Sequence, residues 1–196
     1  MERNNLKTNF SVRQITMVGM LSAISIFLGL TGLGFIPIPP VKATIMHIPV
    51  IIGAIVEGPV VGALVGLVFG LFSMYQAFTT PLPTSFIFWN PLIAIVPRVL
   101  IGIVSYYVYS LLKKKIKNES INIGISAVLG TFTNTIGVMG LTYLIYLEKY
   151  ADKLGISKEA ATTGILTVIG FNGSIEAIVS AVISIAVILT LFKIRK

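Results

Sequence analysis

Four polar residues lie deep inside apolar stretches of this sequence, and they are the residues best suited to chemistry. Arg98 is near the middle of residues 85–112, and Asn134, Asn172 and Glu176 lie far inside two later apolar stretches. An arginine in hydrocarbon costs roughly 2.5–3.5 kcal/mol, so it is expected to face a protein interior, a water-filled cavity or a ligand. We therefore predict that Arg98 faces a binding cavity that opens to the outside.

The remaining three residues are predicted to converge on that cavity. Asn172 and Glu176 are four residues apart, which places them on one face of a helix. A pocket with apolar walls and a few polar groups suits a small polar organic molecule. The alternative is an Arg98–Glu176 ion pair that only holds helices together, although a buried pair is weak evidence for stability. If Glu176 contacts Asn172 or a ligand instead, Arg98 is free to bind a carboxylate.

Four further residues are predicted to line the mouth of the cavity: His47, Gln76, Trp89 and Asn90. For His47, the only histidine, the alternative is a hydrogen-bonded packing role. For Trp89, the only tryptophan, it is anchoring at the membrane interface. A single histidine in a chain without cysteine does not favour a metal site, so we expect neither a metal nor another cofactor.

The composition is that of an integral membrane protein. Hydrophobic residues make up 55% of the 196 residues, charged residues 11%, and the mean hydropathy is +0.94, whereas soluble domains carry about 25% charged residues. We predict one membrane-embedded domain, residues 1–196, in a lipid bilayer. No Gly-rich phosphate loop with its lysine appears, so ATP hydrolysis is not expected. No paired buried acids or Ser/His pair appear either, so we predict that the protein is not an enzyme.

The apolar stretches predict an all-α bundle of six membrane-spanning helices. They are expected over residues 11–31, 43–57, 60–75, 85–112, 121–147 and 160–192. Ten of the fifteen lysines and arginines form three clusters that flank these stretches: Arg3, Lys7 and Arg13; Lys113, Lys114, Lys115 and Lys117; Lys193, Arg195 and Lys196. By the positive-inside rule, the net charge of +8 indicates two cytoplasmic termini in a cell membrane, of bacterial origin as a guess, rather than nucleic-acid binding.

Small residues and prolines indicate how the helices pack. Gly62, Gly66 and Gly70 recur every four residues, which predicts close contact with another helix. Pro91 and Pro97 are expected to loosen the fourth helix.

Two external segments are predicted beside the cavity. The stiff loop 32–42, with Pro37, Pro39 and Pro40, is expected to cap it. The charged segment 148–159 is expected to form a solvated loop or a short surface helix that could serve as a gate.

The first helix carries Gly19 and Ala23 at a four-residue spacing. Small residues at that spacing allow another helix to approach closely. Two interpretations stay open from the residues alone: packing within this protein, or a docking surface for a partner subunit.

Four motifs resemble the substrate-binding S components of energy-coupling factor (ECF) transporters. They are HIPVIIGAIVEGPVVGALVGLVFGLFS (47–73), NPLIAIVPRVLIG (90–102), GTFTNTIGVMG (130–140) and the face shared by Asn172 and Glu176. The resemblance implies a six-helix membrane protein that captures a vitamin from outside. It also implies association with a membrane coupling subunit and two cytoplasmic ATPases, with Gly19 and Ala23 in the place of two docking alanines.

Within that family the motifs are most similar to those of pantothenate-type members. Pantothenate is a small acid, which would suit Arg98 for the carboxylate, with Asn134, Asn172 and Glu176 for the hydroxyl and amide groups. Folate, pyridoxine or pyridoxamine, hydroxymethylpyrimidine and riboflavin are alternative ligands. A self-sufficient ion-coupled carrier is another alternative, although six short helices without an inverted repeat are small for alternating access.

Overall fold

The structure, a computed structural model, describes residues 10–37 and 43–195. Its helices are α1 (Val12–Thr31), α2 (Ile48–Glu57), α3 (Pro59–Thr79), α4 (Pro91–Ala94), α5 (Val96–Lys113), α6 (Glu119–Leu154), α7 (Lys158–Thr167) and α8 (Gly173–Ile194). A 3₁₀ turn (Ser85–Trp89) precedes α4, and a π-helical turn (Val168–Asn172) joins α7 to α8. Strands β1 (Phe35–Ile36) and β2 (Ala43–Thr44) form an antiparallel ribbon. The predicted basic residues Arg3, Lys7 and Lys196, and Pro39 and Pro40 of the predicted cap, lie outside the described residues.

Five helical segments are long and apolar enough to cross a membrane: α1, α3, Pro91–Lys113, α6 and Lys158–Ile194. The remaining apolar helix, α2, has only 10 residues. At 1.5 Å per residue it is about 15 Å long, half the thickness of the hydrocarbon layer. The predicted helix over 43–57 is therefore wrong in its first part, because residues 43–44 form β2. The helix begins only at Ile48, with Pro49 in the first turn, where a missing N–H costs nothing.

The predicted helix over 85–112 is interrupted twice. The side chain of Asn90 accepts a hydrogen bond from the backbone N–H of Leu92 at 3.0 Å and so caps the short α4. A second break at Ile95 follows, and Pro97 lies in the first turn of α5. Arg98 consequently emerges from the first turn of α5, next to these breaks.

The predicted external segment 148–159 is mostly helix. Helix α6 has 36 residues, a length of about 54 Å, so it exceeds the bilayer core of about 30 Å. It ends at Gly155, which adopts the left-handed conformation (φ 65°), and Ser157 caps α7 through the N–H of Ala160. The connection between the two helices is therefore only residues 155–157.

Gly66 and Gly70 of α3 lie against the backbone of α5 and of α4, respectively, and the prediction of a close helix contact is confirmed. An ideal Cβ at Gly66 would lie 2.2 Å from the carbonyl oxygen of Arg98, and one at Gly70 would lie 2.7 Å from that of Ala94. Only glycine allows the two backbones to approach this closely. The contact at Gly66 fixes the position of Arg98 along the bundle axis.

The basic residues of several helix ends meet at one end of the bundle. Glu57, at the end of α2, forms ion pairs with Arg13 of α1 at 2.5 Å and with Arg195, just beyond the end of α8, at 3.8 Å. The ammonium of Lys113 lies 5.9 Å from the ring centre of Phe192. We call this end, which also carries Lys114–Lys117 and Lys193, the basic end.

Candidate functional site

A cavity of about 660 Å³ lies toward the opposite end of the bundle. It is enclosed by the C-terminal halves of α3 and α6, the start of α5, the helical segment from α7 to α8, and the β-ribbon. The short α2 leaves room for the cavity. The residues just before Ile48 are not helical, and two of them, Thr44 and Met46, line the cavity wall. Its polar lining residues are Thr44, Ser73, Gln76, Thr80, Thr84, Ser85, Arg98, Asn134, Thr135, Tyr150, Asn172 and Glu176.

Arg98 is the only cationic side chain in the described lining, and it is 5% exposed. One terminal N–H donates to the carbonyl oxygen of Ile93 at 2.8 Å. The guanidinium carbon lies 5.5 Å and 5.0 Å from the ring centres of Phe69 and Phe88, a distance at which aromatic faces stabilise a cation. Its Nε has no hydrogen-bond partner among the described residues. The charge is thus held in place by groups that do not neutralise it.

Glu176 is engaged by the protein on both carboxylate oxygens. Oε1 accepts from the backbone N–H of Thr44 at 2.7 Å, and Oε2 accepts from the hydroxyl of Thr135 at 3.1 Å. Irregular backbone inside a membrane needs such partners, so Glu176 satisfies the N–H of β2. Within the described chain no carboxylate lies within 4.0 Å of the Arg98 guanidinium. The alternative of a closed Arg98–Glu176 ion pair is therefore not what the structure shows.

Two asparagines and a glutamine complete the polar set that the sequence predicted. Asn134 is 5% exposed, and its Oδ1 has no hydrogen-bond partner in the described part of the chain. Asn172 ends the π-helical turn and is buried beside the cavity, in agreement with the frequent use of such turns at functional sites. Gln76 donates to the carbonyl oxygen of Gly29 at 3.3 Å and lines the cavity near the C-terminal end of α3.

Three predicted mouth residues are absent from the described lining, because each side chain is used elsewhere. His47 is fully buried at the start of α2, with Nε2 2.9 Å from the hydroxyl oxygen of Thr131. Trp89 is 46% exposed, stacks on Phe78 and donates to a backbone carbonyl. Asn90 caps α4, as described above, and its amide also lies within hydrogen-bond reach of a tyrosine hydroxyl. The structure brings together Arg98, Asn134, Asn172, Glu176 and Gln76, but not these three.

Other lining residues were not anticipated from the sequence. The rings of Phe69 and Phe88 that flank Arg98 belong to different helical segments, and their sequence positions carry no signal of that contact. The role of the Thr44 backbone N–H likewise could not be predicted, because a pattern of side-chain types carries no information about backbone hydrogen bonds. Thr135 alone had a signal, since it directly follows Asn134. No group of three or more potential metal ligands occurs among the described residues.

The comparison with known families decides what kind of protein has this architecture. A family model described as the ECF transporter substrate-specific component matches residues 13–188. The chain belongs to this family. The identification of an S component from the sequence motifs is therefore confirmed, and the family is a transporter component rather than an enzyme class.

Two relatives and one solved structure resemble this S component over most of its length. It is 34% identical over 170 residues to the pantothenic acid transporter PanT of Lactococcus lactis subsp. cremoris, covering 80% of this chain and 81% of the relative. It is 31% identical over 163 residues to the pantothenate transporter PanT of Leuconostoc mesenteroides subsp. mesenteroides, covering 80% and 79%. A structure described as "Structure and mechanism of the S component of a bacterial ECF transporter" matches 94% of this chain and 98% of its own, with a TM-score of 0.64 and 22% identity, which shows a shared fold.

The bond from Glu176 to β2 gives the first testable prediction. Glu176→Ala leaves the N–H of Thr44 without its acceptor, so hydrogen exchange at the amides of Thr44 and Ile45 should accelerate roughly tenfold. Hydrogen–deuterium exchange with mass spectrometry measures this directly. Glu148→Ala, which removes an exposed carboxylate outside the cavity, is the matched control and should leave that segment unchanged. Equal exchange in the wild type and Glu176→Ala would show that the bond does not hold β2.

Proposed function

We propose that this S component captures pantothenate from outside the cell and delivers it for ATP-driven uptake. The observation that carries the proposal is the Arg98 guanidinium, buried in a cavity of about 660 Å³ without a carboxylate partner among the described residues. A buried cation with no carboxylate within ion-pair distance is costly, and the carboxylate of an acidic ligand would provide such a partner. The names of the two relatives, both pantothenate transporters, point to the same acid.

The polar groups around Arg98 suit the rest of the pantothenate molecule. The guanidinium forms charge-assisted hydrogen bonds with the carboxylate. The amide of Asn134 is available for the ligand amide or a hydroxyl, and Asn172 lies on the same wall. Each Glu176 oxygen has a second lone pair that can accept from a ligand hydroxyl. Val138 and Met139 supply apolar surface for the dimethyl-bearing carbon.

The proposed orientation follows from the charge distribution. With the basic end in the cytoplasm, the cavity opens to the exterior of the cell membrane, and both termini are cytoplasmic. The short α2 and the ribbon before it together complete a sixth crossing, in one membrane-embedded unit. This arrangement exposes the cavity to a nutrient that arrives from outside, in what we take to be a bacterial plasma membrane.

The proposed partners are a membrane coupling subunit and two cytoplasmic ATPases. Gly19 and Ala23 both lie on the exposed face of α1. Apart from the backbone of α1 and the two chain neighbours of Gly19, no atom of the described residues lies within 4 Å of an ideal Cβ at Gly19. Ser22 and Ser25 on the other face are buried. The small-residue pair therefore does not serve packing within the described chain, which favours its use by a partner helix.

The role of Arg98 is tested by pairing a charge-removing variant with a charge-removing ligand. The wild type should bind pantothenate more tightly than pantothenol, in which an alcohol replaces the carboxylate, by roughly 10- to 100-fold. Arg98→Gln should weaken pantothenate binding by a similar factor and bind both ligands about equally. Isothermal titration calorimetry on the purified protein measures all four affinities.

Arg13→Gln is the matched control, because Arg13 is at the basic end, far from the cavity, and its loss should leave both affinities unchanged. Folate, a second acidic vitamin, enters the same titration as the competing ligand. Unchanged pantothenate affinity in Arg98→Gln would contradict the assignment of Arg98. Tight folate binding without pantothenate binding would replace the proposed ligand.

The docking surface gives a separate prediction. Ala23→Trp places a large ring between α1 and a closely packed partner helix, which should lower pantothenate uptake by the reconstituted complex roughly tenfold. Binding by the isolated S component should stay intact, since the residue faces away from the cavity. Ile136→Trp, on an exposed position of α6, is the control for a bulky change on the outer surface. Loss of binding together with uptake would show that Ala23 is needed for the fold.

A further inference from the structure

A second recess, of about 300 Å³, lies on the last two turns of α5 at the basic end. Its wall consists of Tyr106, Tyr109, Ser110, Lys113 and Lys114. These positions follow the helical spacing of three and four residues, so they form one continuous stripe. The recess is at the opposite end of α5 from Arg98, and the capture of a ligand from outside makes no use of it.

The charge at this end is strongly positive and only partly neutralised. Among the described residues it carries seven basic side chains (Arg13, Lys113, Lys114, Lys115, Lys117, Lys193 and Arg195) and two acidic ones (Glu57 and Glu119), a net charge of +5. Both acids are engaged, Glu57 by the two arginines and Glu119 by Lys113 at 3.7 Å. Lys114 has no ion pair within the described residues. At the opposite end of the bundle, which we call the outer end, the charges of the described segment 148–159 balance: three lysines (Lys149, Lys153 and Lys158) against three acids (Glu148, Asp152 and Glu159).

The recess combines this charge with hydroxyl groups and aromatic surface. Lys113 donates to the hydroxyl of Tyr109 at 3.2 Å, and that hydroxyl in turn donates to Glu119, so this side of the wall is fixed. The side chains of Ser110 and Lys114 have no hydrogen-bond partner among the described residues and are available to an anion. Tyrosine and lysine at the end of a membrane helix lie at headgroup depth, where basic pockets bind anionic lipid headgroups.

We propose that this recess binds the phosphate of an anionic phospholipid headgroup in the inner leaflet. Lys114 and Ser110 contact the phosphate, Lys113 with Tyr109 and Glu119 forms the fixed side of the wall, and Tyr106 packs against the glycerol region. A bound lipid would fix the depth of the basic end in the bilayer. A free phosphate shares the chemistry of the headgroup but lacks the acyl chains, so the experiment separates the two.

The test is native mass spectrometry of the full-length protein titrated with phosphatidylglycerol or with phosphatidylcholine of identical acyl chains. The wild type should retain phosphatidylglycerol in preference to phosphatidylcholine. The double variant Lys114→Gln, Ser110→Ala should bind phosphatidylglycerol at least about fivefold more weakly, because one lysine near an anionic surface is worth about that factor. Lys153→Gln, which removes an exposed lysine at the outer end, should behave like the wild type.

Three outcomes would overturn the proposal. Equal retention by the wild type and the double variant would place the lipid elsewhere, and an equal loss in Lys153→Gln would reduce the effect to overall charge. Displacement of the lipid by millimolar inorganic phosphate would identify a free-anion site instead. Equal retention of the two lipids by the wild type would also contradict a headgroup site. This comparison does not depend on how the variants fold.

Discussion

The interaction between the Arg98 guanidinium and the two aromatic rings beside it is the constraint on which the site depends. Phe69, Phe88 and the carbonyl oxygen of Ile93 hold the cation in a buried position, yet none of them carries a negative charge. Gly66 allows the backbones of α3 and α5 to approach closely, which fixes the position of Arg98 along the bundle axis. For the proposed acidic ligand the cation is thus already in place, which would reduce the ordering cost at binding.

The cavity exists because the helical structure is interrupted at several points around it. Residues 43–44 before α2 form a strand, the chain before α5 breaks at Asn90 and Ile95, and α7 joins α8 through a π-helical turn. Irregular backbone at membrane depth is stable only when its polar groups find partners. Glu176 supplies one of them to β2, while Ser25 donates to the carbonyl oxygen of Met46 at 3.1 Å. Glu176, which lines the cavity, therefore also stabilises its wall.

The sequence predicted the helical membrane fold and the deep part of the cavity, but of the four predicted mouth residues only Gln76 lines the cavity. Rare polar residues in apolar stretches indicated positions inside the bundle, and Arg98, Asn134, Asn172 and Glu176 are all buried and line one cavity. The positions of His47, Trp89 and Asn90 could not be derived in this way. They depend on where helices begin and on tertiary partners such as Thr131, and helix periodicity carries no information about either. The same limit explains why residues 43–47 were expected to be helical.

The central claim is that Arg98 binds the carboxylate of pantothenate inside this cavity. An experimental structure of the purified protein with pantothenate tests it most directly. The account predicts one ligand in the cavity, with its carboxylate oxygens within about 3 Å of the guanidinium nitrogens and its hydroxyl groups toward Asn172 and Glu176. A ligand with its carboxylate directed away from Arg98, or one bound outside the cavity, would contradict it.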